Sequence, residues 1–169
     1  MQKEKIMQTT NISNSFKNTP IYNRNIFLIL SFLTMVAIFV LSSFSGNESN
    51  QMSDLPATII ADSIPSLSEF SVLIARKMAH FTEYMVLGFF MALYTRGSKK
   101  ELAIVFLVGF MFAVSDEIHQ YFVPGRYCQL KDVLIDSAGV LTGILLAEVV
   151  RKFLLKKNSK KEKIIALGE

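Results

Sequence analysis

Leu102-Ala103-Ile104-Val105-Phe106-Leu107-Val108-Gly109-Phe110-Met111-Phe112-Ala113-Val114-Ser115-Asp116-Glu117-Ile118-His119-Gln120-Tyr121-Phe122 is an apolar run that closes on two acids and one of the 2 histidines in the chain. It has the length of a helix that crosses a bilayer, about 20 residues for ~30 Å of hydrocarbon. Charge in lipid costs on the order of 3 kcal/mol unless it faces a protein interior or a wet cavity. The stretch predicts a membrane helix and a polar site where that helix stops.

Three further segments have the same character: Ile26 to Phe44, Val72 to Tyr94 and Val133 to Leu155. The chain of 169 residues is 51% hydrophobic with 14 phenylalanines, too apolar for a soluble domain of its size. The expected fold is an all-α integral membrane bundle of four transmembrane helices. The first segment follows a basic N-terminal region but is longer than the ~7–15 apolar residues of a signal peptide, which makes it an uncleaved signal-anchor. Cys128 stands alone, so neither an internal disulfide nor a paired-cysteine metal site can form.

Charge sets the expected orientation. Lys3, Lys5, Lys17 and Arg24 precede the first segment, whereas Gly46 to Ala75 carries Glu48, Asp54, Asp62 and Glu69 and no basic residue. Arg96, Lys99 and Lys100 follow the second segment, and Arg151, Lys152, Lys156, Lys157, Lys160, Lys161 and Lys163 attend the last. Basic loops stay in the cytoplasm, so both termini are expected inside a bacterial cytoplasmic membrane. The net charge of +4 is then an orientation signal, and with no nucleic-acid motif beside it nucleic acid is excluded as a partner. The expected division is a disordered cytoplasmic region over 1–23, a membrane domain over 24–155 and a basic cytoplasmic tail over 156–169. Met52 to Phe70 mixes apolar residues with acids and is interrupted by Pro56 and Pro65; it reads either as one or two short interfacial helices or as an irregular loop with apolar anchors.

Polar residues converge at the outer end. Arg76, His80, Glu83 and Tyr84 recur at helical spacing on the second segment, as do Asp116, His119 and Gln120 on the third. Glu117 is turned by about 100° from Asp116. A Pro124-Gly125 turn leads to Arg126, Asp132 and Asp136, and Gly139 and Gly143 continue that stripe as a small-residue contact face. His80 with Glu83, and Asp116 with His119, have the side-by-side placement that can ligate a metal between helices. They can equally form a hydrogen-bonded network neutralised by Arg76 or Arg126. These residues leave the metal, any cofactor and the oligomeric state open.

The blocks Arg76-Lys77-Met78-Ala79-His80-Phe81-Thr82-Glu83-Tyr84 with Leu87-Gly88, Ser115-Asp116-Glu117-Ile118-His119-Gln120 through Pro124-Gly125-Arg126, and Asp132-Val133 with Asp136 and Gly139 together resemble the VanZ-like family of bacterial membrane proteins. The resemblance covers Ile26 to about Arg151. Members often carry a Ser-Ser-Gln-Ser-like stretch after the first helix, where this chain has Leu41-Ser42-Ser43-Phe44-Ser45-Gly46, with Phe44 at the glutamine position. The resemblance implies a cell-envelope protein associated with low-level teicoplanin resistance.

Two functions follow as expectations. In the first, the protein binds or acts on an anionic envelope molecule, such as a lipid-linked precursor, with His80, Glu83, Asp116 and His119 as candidate catalytic residues moving protons. Arg76, Tyr84, Glu117, Gln120, Arg126, Asp132 and Asp136 would then contact the substrate, the arginines gripping phosphate or carboxylate. In the second, the protein is a non-enzymatic adaptor or envelope modifier whose polar cluster only holds the helices in register. A transporter fits less well, because the inner halves of the segments lack intramembrane charge.

Overall fold

The computed structural model describes residues 24–167, with side chains through Lys157. The expected disorder of 1–23 and the far end of the basic tail lie outside those limits. The described residues form α1 (Arg24–Ser42), α2 (Gly46–Ser63), a 3-10 turn (Pro65–Phe70), α3 (Ser71–Tyr94), α4 (Lys99–Tyr121) and α5 (Leu130–Leu167), with no strand among them. The described residues are thus all-α, and three of their helices are long and apolar enough to cross a membrane: α1, α4 and Leu130–Lys157 of α5.

The fourth expected crossing, α3, has 24 residues and so the length, but Arg76, Lys77, His80 and Glu83 reduce its apolar character. Its position explains how those residues are tolerated. It packs most extensively against α5 and also touches α1, α2 and α4, so its polar stripe faces protein. α1 is the opposite case: it buries only Ser31, Ile38 and Ser42 and exposes Ile29, Phe32, Leu33 and Val40. An apolar face of that extent suits hydrocarbon and would be a liability in water.

Close approach of α3 and α5 depends on small residues. A Cβ at Gly88 would strike the Val140 backbone, and one at Gly143 would strike the backbone of Met85 and Phe89. Gly139 lies likewise against Phe81 and Tyr84. Around this seam Ile38, Tyr84, Leu87, Ala113, Val140 and Ile144 form the core.

Both ends of the bundle are tied by hydrogen bonds. At one end Arg24 Nε donates to the Tyr94 carbonyl at 2.6 Å, and the Arg151 guanidinium donates to the carbonyls of Ala92 and Thr95 while pairing with Glu148. Cations there satisfy the last carbonyls of α3 and oppose its dipole. At the other end Ser45 caps α2: its hydroxyl accepts from the Glu48 N–H while the Glu48 carboxylate accepts from the Ser45 N–H at 2.8 Å. Those bonds, the one from the Ser45 side chain foremost, hold the Glu48 carboxyl below its ordinary value.

One of the two readings of the α1–α3 connection is excluded by this geometry. The alternative of an irregular loop at Met52 to Phe70 gives way to helix, because α2 runs on past Pro56 to Ser63. The proline removes only the hydrogen bond that would have reached the Met52 carbonyl. Across the stretch read as the basic tail, α5 continues as helix to Leu167, since Lys and Glu propagate a helix well.

Candidate functional site

The N-terminus of α2 is hooked onto the α4–α5 turn, and this fixes the shape of the polar end. The Gly46 N–H donates to the Pro124 carbonyl at 3.0 Å, and Gly46 sits so close to Gly125 that a side chain there would collide with the Gly125 carbonyl. Gly125 has φ of 76°, a conformation glycine adopts without penalty. α2 is thereby held against the start of α3, with which it packs.

Beneath that hook runs a buried chain of hydrogen bonds. Ser42 Oγ and Gln120 Nε2 each donate to Asp116 Oδ2 at 2.9 Å. Gln120 Oε1 accepts from Arg126 Nη1 at 2.9 Å, and the same guanidinium donates through Nε to the Phe44 carbonyl at 3.0 Å and through Nη2 to that of Leu41. All four side chains are buried. Arg126 therefore pairs with neither Asp132 nor Glu117, the acids nearest to it in the sequence on either side of its turn.

Beside this network lies a cavity of about 210 Å³ bounded by Arg76, His80, Glu83 and Arg126 and closed by Ser49, Met52, Ser53 and Pro56 of α2. Arg76 makes one long contact, with Asn50 at 3.4 Å, and its buried Nε has no partner. The cavity thus holds two guanidinium groups, an imidazole and a carboxyl group in one small space.

His80 joins the cavity to a second group. Its Nδ1 is 3.8 Å from Asp136 Oδ1, and donor atoms of His80, Asp116 and Asp136 all lie within 4.8 Å of one another. The pairings read from i, i+3 spacing are replaced by contacts between helices, because the apposition of α3, α4 and α5 brings these three side chains together. Tyr84 is fully buried next to the seam, its ring 6.0 Å from that of Phe112 and its hydroxyl without a partner.

The remaining residues point elsewhere. His119 turns to α1, stacking on Phe39 at 4.5 Å with Nε2 at 3.1 Å from Ser43 Oγ. Glu117 is buried and accepts from the Gln129 N–H at 2.8 Å, which pins the start of α5. Asp132 pairs with Lys77. None of the three borders the cavity.

Sequence reasoning passed over Ser42 and the cavity face of α2. A signal for Ser42 exists: Ser31, Ile38 and Ser42, the buried residues of α1, recur at intervals of seven and four along an otherwise lipid-like helix.

Comparison with known proteins decides the family. The VanZ/LLP1 family model matches residues 27–151, most of the chain. The chain belongs to the VanZ/LLP1 family. Neither the curated proteins nor the solved structures give a significant match. The VanZ/LLP1 span takes in the whole network from Ser42 to Asp136, and with its apolar helices the chain is a VanZ-like membrane protein.

Proposed function

We propose that this VanZ-like protein crosses the bacterial cytoplasmic membrane four times with both termini inside. α2 lies at the outer interface, and the cavity binds or acts on an anionic cell-envelope molecule, lowering susceptibility to teicoplanin. The observation that carries this reading is the cavity wall, in which Arg76 and Arg126 stand beside His80 and Glu83. Arg126 has spent three of its five donors on the protein and keeps two. Guanidinium groups recognise phosphate and carboxylate, while a neighbouring imidazole and carboxyl can move protons. Orientation is supported by the basic residues Arg96, Lys99, Lys100, Lys152 and Lys156 gathered at the end away from the cavity. The exposed Met52, Leu55 and Ile59 of α2 suit a helix lying on the bilayer surface.

A second reading draws on a different observation, the internal satisfaction of the Ser42, Asp116, Gln120 and Arg126 chain. There the protein is a non-enzymatic adaptor or envelope modifier and the network is structural. Teicoplanin susceptibility of cells producing the Arg76→Ala or Glu83→Gln protein separates the two, with membrane abundance measured by immunoblot. Loss of protection at unchanged abundance is the expected result. Full protection in both variants would overturn the cavity as the site of action, and lost protection that merely tracks lost protein would favour the structural reading.

A further inference from the structure

Two carboxylates with no cation bonded to them are buried side by side in this molecule. Asp136 is 0% exposed with neither carboxylate oxygen bonded, and Asp116 is 3% exposed with Oδ1 unbonded. The basic groups nearby are directed elsewhere: Arg126 donates to Gln120 and the carbonyls of Phe44 and Leu41, Lys77 pairs with Asp132, and Arg76 contacts Asn50. Burying an ionised carboxylate without compensation is prohibitive, so such groups are paired, protonated or bound to a metal. His80 Nδ1 is also buried and unbonded, and one ligand atom from each of His80, Asp116 and Asp136 lies within 4.8 Å of the other two.

We infer that His80, Asp116 and Asp136 bind one divalent transition-metal cation, Zn2+ by the character of the donors. The nitrogen donor disfavours Mg2+ and Ca2+, which take oxygen, whereas imidazole with carboxylate suits Zn2+. Tetrahedral bonds of about 2.1 Å put neighbouring donors ~3.4 Å apart, and His80 Nδ1 and Asp136 Oδ1 already stand at 3.8 Å. Two carboxylates neutralise the ion, and the ion removes the cost of burying them together. Ser42 and Gln120, which donate to Asp116 Oδ2, are the outer hydrogen bonds that orient a metal ligand. Three protein ligands leave a fourth position open, as in metal sites that meet a substrate or water. His80 belongs to both the cluster and the cavity wall, so the ion sits at the cavity's inner edge. The inference does not depend on what occupies the cavity or on any resistance phenotype.

The test uses the full-length protein in nanodiscs of zwitterionic lipid, stripped with chelator, titrated with Zn2+ alone and assayed for bound metal by mass spectrometry. One Zn2+ per chain is expected, with a rise in melting temperature that chelator reverses. Asp136→Asn should weaken binding by more than the ~10–100-fold typical of losing an outer-shell partner. The doubly substituted Cys128→Ser, His119→Ala protein, which lacks the chain's one thiol and its second imidazole, should keep the ion. Wild-type protein that binds no Zn2+, unchanged affinity in Asp136→Asn, or loss of the ion in the double variant would overturn the assignment. The wild-type measurement decides the matter even if Asp136→Asn fails to fold, and a failed resistance test with Zn2+ bound would count against the cavity reading alone.

Discussion

Gln120 is the residue on which the polar end turns. Its amide donates to Asp116 and accepts from Arg126, so it passes an anion's demand for donors and a cation's demand for acceptors through one neutral side chain. Replacing it with leucine strands both neighbours in a buried setting, where a lost bond to a charged group is worth about 1.5–3 kcal/mol. Gln120→Leu should therefore lower unfolding stability in detergent by roughly 3 kcal/mol, with the unsatisfied charges dominating any gain in apolar burial. A loss under about 0.5 kcal/mol would show the chain of bonds to be weak. The stripe of Asp116 and Gln120 was legible because i, i+4 spacing shows in sequence. The partnership of His80 with Asp136 was not, since it depends on how two helices approach, and periodicity along one helix carries no such information. Ser42 escaped for a related reason: a hydroxyl in an apolar helix can bond its own backbone, as Ser31 does with Phe27, and nothing local separates the two roles.

Among the elements, the α3–α5 seam shows most clearly what sequence pattern can and cannot tell. The Gly139 and Gly143 stripe reads as a contact face, and both positions prove to be seats for the backbone of α3. Helix propensity alone would make Gly143→Ala stabilising by ~1 kcal/mol. The new methyl group would instead meet the carbonyl of Met85, so the helices must part. The net expectation is destabilisation of about 1–3 kcal/mol, measured by thermal unfolding in detergent. Stabilisation would mean that the seam relaxes freely. α2 was less legible because its proline and scattered acids resemble loop chemistry. Its helix is supported from outside its own composition, by the Ser45 cap, by the docking of Gly46 on Pro124 and by packing on α3.

At the scale of the whole molecule, apolar length and charge asymmetry were enough to read an all-helical membrane chain. They counted α3 as a fourth crossing, whereas by apolar character only α1, α4 and α5 stand out. The difference arises largely from the site itself, since Arg76, His80 and Glu83 of the cavity wall are, with Lys77, the residues that lower the hydropathy of α3. A site for an envelope molecule requires the end bearing Ser42, Arg76 and Arg126 to face outward, and the chain carries its own reporter for this. Cys128, its 1 cysteine, is exposed in the α4–α5 turn at that end. Labelling of intact cells with a membrane-impermeant maleimide should modify wild-type protein at Cys128. A Cys128→Ser protein carrying Lys157→Cys at the opposite end should react only after the cells are permeabilised. Reaction of Cys128 only after permeabilisation, with Lys157→Cys labelled from outside, would put the cavity in the cytoplasm and contradict the account.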